Sequence, residues 1–294
     1  MPLQRFKPVQ KPYSRNGEVL DERVFPSEMQ RIALGIEYNG SLFHGFQYQK
    51  SGVATVQQAL EASLSAIADE TIAVSCAGRT DAGVHGTNQV VHFDTLAKRP
   101  VKAWLRGANT YLADGVSIRW MESVSCRFHA RFSAQSRCYR YVIYNHPTPS
   151  ALLHKQVTWD RRRLDVAKMN AAGQLLIGEH DFNAFRATQC QAKTSIRRMD
   201  KINIHRQNDF IVIEVQANAF LYHMVRNIVG VLCAIGAGQA PVTWAGDVLK
   251  SMDRRCAGVT APADGLYLVD VQYSDEFGLP HMSKGPYFIN DNNN

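Results

Sequence analysis

The sequence predicts an α+β protein of two similar α/β sandwich halves, with mainly antiparallel mixed sheets flanking a central cleft. Two observations carry this. An order of strand, helix, strand, strand, helix, strand, read from hydrophobic periodicity, occurs twice along the chain. A length of 294 residues, with 45% hydrophobic and 20% charged residues, is enough for two domains of modest size. The divisions that follow are an N-terminal extension over 1–28, a first half over 29–128, a second half over 129–275 and a tail over 276–294. Halves joined near residues 125 to 135 leave a cleft between them, where sites usually form.

The elements of the first half follow in order. Residues 31–40, RIALGIEYNG, alternate and end in Asn-Gly, so they form a strand entering a turn. Thr55 and Gln58 make a capping box, and Val56, Leu60, Leu64 and Ile67 then share one helix face. Strands are expected at 72–77 and 88–94. Pro100 opens a second helix carrying Trp104, Ala108 and Leu112, and GVSIRWMESV returns as a strand.

In the second half YRYVIYN is a strand, followed by a helix capped by Asp160 and closed near Gly178. Strands at about 195–205 and 210–217 precede a long helix with Phe220, Met224, Ile228, Leu232 and Ile235 inward. A short helix from Thr243 and the strand GLYLVDVQY complete the chain. The extension, and the tail with its final Asn run, lack periodicity and are expected to be mobile.

Composition narrows the function classes. No run of 18 apolar residues and no secretory leader is present, so a cytoplasmic protein without a membrane partner is expected. The cysteines at 76, 126, 138, 190, 233 and 256 have no zinc spacing and read as buried reduced thiols. His85 and His92, seven apart without a third ligand, read as hydrogen-bonded structural histidines rather than a metal site. No dinucleotide fingerprint or phosphate loop occurs.

The net charge of +7 makes an acidic partner plausible, and its distribution says more. From Ser123 to Trp159 no Asp or Glu occurs, while Arg127, Arg131, Arg137, Arg140 and Lys155 interleave with Tyr139, Tyr141 and Tyr144. Arg161, Arg162 and Arg163 follow, and Arg186, Lys193, Arg197, Arg198 and Lys201 form a second cluster. Basic groups among aromatics that stack on bases point to nucleic acid.

One loop carries chemistry. In SCAGRTDAGVHGTNQVVHF, residues 75–93, Gly78, Ala82, Gly83 and Gly86 allow sharp turns and close approach of a partner around Arg79 and Asp81. Read alone, Asp81 caps the turn or pairs with Arg79. As nucleophile or base it requires a cation, such as Arg226 or Arg79, to keep it ionised.

GRTDAGVHG, followed by FHARFSAQSRCYRY and FLYHMVRNIVG, resembles the tRNA pseudouridine synthase A family over residues 30 to 275. The resemblance implies the pseudouridine synthase fold and a cofactor-free, metal-free isomerase. Such an enzyme detaches uracil from ribose at ring nitrogen 1, turns it and rejoins it through carbon 5. It further implies a tRNA substrate bound through anticodon stem-loop and elbow, modified at uridines 38, 39 and 40, and a homodimer.

By the same resemblance Asp81 is the catalytic aspartate, Tyr139 packs on the target base and Arg226 pairs with the carboxylate. Arg79 holds or replaces the extruded nucleotide, or clamps a phosphate. His85, Arg137 and His223 are placed toward substrate, Arg162 and Arg163 on the RNA backbone, and Leu266 in the base pocket or plain core. His129 is a further RNA or tyrosine contact. Two rivals remain: a non-catalytic RNA-binding module that has no need of Asp81, and a nucleoside hydrolase. The hydrolase normally needs a second carboxylate, and the nearest acid downstream, Asp94, reads as a strand end.

Overall fold

A computed structural model describes residues 25–289. The expected mobile extension falls almost wholly outside them, as do the last five residues. The fold is α+β, and all ten strands belong to one mostly antiparallel sheet.

The first group of elements is β1 (Gln30–Tyr38), α1 (Val56–Ala68), β2 (Ser75–Cys76), β3 (His85–Thr95), α2 (Ala108–Tyr111) and β4 (Val116–Val124). The second is β5 (Ser136–Tyr144), β6 (Thr158–Trp159), α3 (Val166–Gln174), β7 (Gly178–Asp181), β8 (Ile196–Gln207), β9 (Phe210–Ala217), α4 (Met224–Gly236), α5 (Trp244–Ser251) and β10 (Leu266–Gln272). The strand order is β4-β1-β3-β10-β5-β9-β8-β7, with β2 on β3 and β6 on β5. The strands expected in two sheets are continuous because β10 lies between β3 and β5, parallel to the first and antiparallel to the second.

α1 starts where Thr55 accepts the Gln58 amide at 3.3 Å, and it buries Leu60 and Leu64 against Ile32, Leu34, Ile36, Val91 and Phe93. Burying several such side chains stabilises each site by about 1.5–3 kcal/mol relative to exposure. α4 buries Met224, Ile228, Leu232 and Ile235 against a separate cluster that includes Tyr139, Tyr141, Ile213 and Val215. Phe220, expected on this helix, lies before its first turn.

Several local expectations are corrected. Only Ser75 and Cys76 of the 72–77 stretch enter the sheet, because the amides of Ile72 and Val74 are taken by Ser65 and Glu61 of α1. The helix beginning after Pro100 contains a π-helical turn, Ala103–Gly107, ahead of α2. α3 is capped by Asp165, which accepts from the Lys168 amide at 3.1 Å, whereas Asp160 pairs with Arg162 at 2.5 Å. Its end comes at Gln174, and Gly178, with φ of 113°, opens β7 instead. Among the cysteines Cys138 alone is fully buried and Cys256 is exposed.

The tail is also corrected: residues 276–289 run against the body of the protein. Arg140 donates to the carbonyls of Lys284 and Gly285 at 2.9 and 3.1 Å, and Ile289 is buried with Val142, Val212, Tyr267 and Val269. Alternation along β5 sends Arg140 and Tyr139 to opposite faces. Arg140 therefore meets Glu214 at 2.8 Å away from the Tyr139 side.

Candidate active site

The Asp81 loop is held rigidly at its root. Gln89, fully buried, accepts the Gly78 amide at 3.3 Å and donates to the Gly78 carbonyl at 2.5 Å. The Thr80 hydroxyl bonds Tyr38 at 2.9 Å, and its carbonyl accepts from the Phe46 amide at 3.0 Å. The Asp81 carbonyl accepts from Val84 at 3.1 Å across a turn in which Gly83 has φ of 82°, a conformation that favours glycine. These bonds leave the Asp81 side chain as the projecting group.

Two groups from the start of α4 meet it. His223 Nε2 lies 3.4 Å and Arg226 Nη1 3.7 Å from Asp81 Oδ2, and all three side chains remain partly accessible. His223 has left-handed backbone, φ of 60°, immediately before the helix. Burial raises the Asp81 carboxyl above its ordinary value, opposed by His223 and Arg226. Burial also lowers His223, opposed by Asp81. The site thus holds a partly desolvated carboxylate beside a fixed guanidinium, the arrangement an activated carboxylate needs.

Tyr139 is buried, and its ring meets Phe220 edge-on with centroids 5.0 Å apart. Its hydroxyl stands against the loop, since a methyl group on Gly78 would touch it at 3.5 Å. Burial first, then Asp81, pushes the phenol well above its ordinary value, so it stays neutral. Arg79 is exposed on the same loop.

Other expected site residues are placed elsewhere. Arg137 is buried and donates to the carbonyls of Ala77, Ala134, Asn218 and Arg131, so its guanidinium pins the strand before the loop rather than facing substrate. His85 is likewise engaged inside the fold. Nδ1 accepts the Gly40 amide at 3.1 Å, Nε2 faces the carbonyls of Lys155 and Asp264 at 3.0 and 3.2 Å, and the ring stacks on Tyr267. His92 accepts from the Ala130 amide at 3.2 Å, and His129 packs on His92 and Phe132.

Leu266 is buried in the α4 cluster. Asp94 is the bidentate partner of Arg31 at 2.6 and 2.7 Å, which removes it as a second carboxylate. Arg162 is exposed but paired with Asp160, and Arg163 is exposed. Arg140 and Tyr141 are buried, so the basic and aromatic interleaving of 137–141 is a central strand. Phe220 was read only as an inward helix residue and Tyr222 was not singled out, although both lie in the FLYHMVRN stretch that supplies Arg226. Their aromatic character beside that arginine was the available signal.

A family model described as tRNA pseudouridine synthase matches residues 35–133 and 172–274. Asp81 falls in the first matched segment and His223 and Arg226 in the second; Tyr139 lies between them. A tRNA pseudouridine synthase A of Alcanivorax borkumensis is 55% identical, covering 90% of this chain and 98% of its own. Those of Pseudomonas aeruginosa and Pseudoalteromonas atlantica are 52% and 54% identical, each covering 89% of this chain, and 92% and 99% of their own. With a family match across most of both halves and relatives of this identity along nearly their whole length, the chain belongs to the tRNA pseudouridine synthase family, whose members are isomerases.

Proposed function

We propose that the chain converts uridine to pseudouridine in the anticodon stem-loop of tRNA, at positions 38, 39 and 40, with Asp81 as the catalytic aspartate. The observation that supports it is the meeting of Asp81 with Arg226 and His223 beside the Tyr139 ring. The reaction balances without a cofactor. The bond from ribose C1′ to ring nitrogen 1 breaks, a bond from C1′ to ring carbon 5 forms, the proton on carbon 5 leaves and nitrogen 1 gains one.

In this reading Arg226 keeps the Asp81 carboxylate ionised when burial favours its protonated form. That carboxylate attacks ribose or base, or removes a ribose proton. Tyr139 is the floor under the uracil ring. Arg79 supports the RNA where the uridine has left the stem. The exposed Arg127, Arg131, Arg161 and Arg163 supply backbone contacts, including those toward the tRNA elbow, in a homodimer working in the cytoplasm. No helix among the described residues is long and apolar enough to cross a membrane.

The test is tritium release to water from an unmodified tRNA transcript labelled at uridine carbon 5, with wild type and Asp81→Ala. Release by wild type alone supports the reading. Equal release by the variant removes Asp81 from the chemistry, and release of free uracil would indicate hydrolysis instead.

A further inference from the structure

The chemistry above leaves one ring beside the carboxylate without a task. Tyr222 is 38% exposed, yet its ring stacks on His223 with centroids 4.0 Å apart and planes at 28°. The partner ring is the one that lies 3.4 Å from Asp81. Stacking of consecutive side chains is possible here because His223 leaves the extended and helical regions for a φ of 60°.

The main chain fixes Tyr222 from behind. Its carbonyl accepts from the Ala187 amide at 3.1 Å, and its amide donates to Cys190 Sγ at 3.5 Å. Arg186 donates to the Cys190 carbonyl at 2.7 Å, so the basic segment around 186–193 is tied to the same point.

Two aromatic rings therefore flank the carboxylate at different depths. Tyr139 is buried and already met by Phe220, which suits a pocket floor. Tyr222 has one face on His223 and stands at the rim. A uridine withdrawn from a stem leaves its neighbours with an unpaired stacking face. A rigid exposed aromatic ring meets that need without reading sequence.

We propose that Tyr222 stacks on the base of a nucleotide adjoining the extruded uridine, as a nucleobase-binding residue at the rim of the site. This rests on the reading of Asp81 as the uridine site. Tyr222 supplies the planar surface, and the exposed Arg79, on the Asp81 loop, and Lys193, three residues past the Cys190 that Tyr222 bonds, supply positive charge for the RNA backbone.

The experiment uses tRNA transcripts with 2-aminopurine on either side of the target uridine, and the variants Tyr222→Ala, Tyr222→Leu and Tyr222→Trp. Wild type should quench the fluorescence from one of the two positions. Tyr222→Ala should lose that quenching and raise KM for tRNA about tenfold, the loss expected for one base–aromatic stack. Tyr222→Trp should restore both. Tyr222→Leu, which fills the space without a π-face, should also lose the quenching and raise KM, and it carries the test if Tyr222→Ala fails to fold.

Unchanged KM and quenching in Tyr222→Ala and Tyr222→Leu would overturn the proposal. So would a fall in kcat with a displaced pH profile at unchanged KM, which would make the ring a support for His223. Quenching by a wild type that releases no tritium would leave the stack standing and overturn the reading of Asp81.

Discussion

Arg226 and Ala261 are bonded to each other in both directions. The Ala261 amide donates to the Arg226 carbonyl at 3.1 Å, and Arg226 Nε donates to the Ala261 carbonyl at 2.7 Å. One edge of the guanidinium is thereby fixed, and Nη1 is left at 3.7 Å from Asp81. The helix and the 259–261 segment approach closely enough for this only because residue 230, one turn on, is glycine: a methyl group there would overlap the Val259 carbonyl.

Arg226→Lys keeps the charge but has no second nitrogen to fix its direction. We expect kcat to fall at least tenfold with little change in KM, since the residue acts on Asp81 rather than on the RNA. Single-turnover tritium release checks this, and a variant at wild-type rate would show that charge alone suffices.

Asp81→Asn should abolish turnover and raise Tm. The folded-state value of Asp81 lies above the ordinary 3.8, so the native state holds its proton to higher pH than the unfolded chain does. Stability therefore falls as pH rises from 3.8 through the folded value, and the full penalty is present at neutral pH. Each kcal/mol of relief would show as roughly 2–4 °C in a chain this size. Calorimetry at pH 7 and at acid pH should find the gain only at pH 7. The wild-type rate should drop as pH falls through that same raised value.

Glu214→Gln should destabilise the protein without touching the site. Burial raises this carboxyl, but Lys201, Lys284 and Arg140 together outweigh it and hold it below its ordinary 4.5. Its contribution is complete above pH 4.5 and is lost as pH falls through the lower folded value. Arg140 would lose its 2.8 Å partner, and breaking such a buried pair costs about 3–5 kcal/mol. Urea unfolding at pH 7 measures it, and an unchanged midpoint would mean that the Lys284 and Gly285 carbonyls are sufficient partners.

Arg163→Ala should weaken tRNA binding uniformly and reduce the slope of log affinity against log salt by about one. Arg162→Ala should do less, because Arg162 already spends its charge on Asp160. Filter binding across a salt series separates the two, and equal effects would mean that RNA displaces Asp160.

The elements whose signals are local were legible in the sequence. α1 announced itself by Thr55 and by apolar spacing that its burial matches. For Asp81 the chemistry called for a cation and offered Arg226 or Arg79, and the resemblance chose Arg226; nothing in their separation of 145 residues requires the 3.7 Å approach. Arg137 and Arg140 were read as part of a basic RNA-facing stretch for the opposite reason, and the resemblance set His85 toward substrate against its own reading as a hydrogen-bonded structural histidine. A charged or polar side chain in a strand looks solvent-facing until distant carbonyls or carboxylates appear to satisfy it. Those partners include Ala77, Glu214 and Asp264, all remote in sequence. Asp160 and Asp165 both stand before the same helix, and the choice between them depends on Arg162 engaging the first.

The central position of β10 sets the order in which the sheet can be completed. Residues 266–272 follow every other strand in chain order, yet β3 and β5 have no other strand between them. A nascent chain emerging from the ribosome can pair β1, β3 and β4, and later β5, β8 and β9, as separate folding units. Until β10 arrives, each unit carries an open hydrogen-bonding edge. A chain cut short before residue 266 would thus offer two sticky edges in place of one continuous sheet.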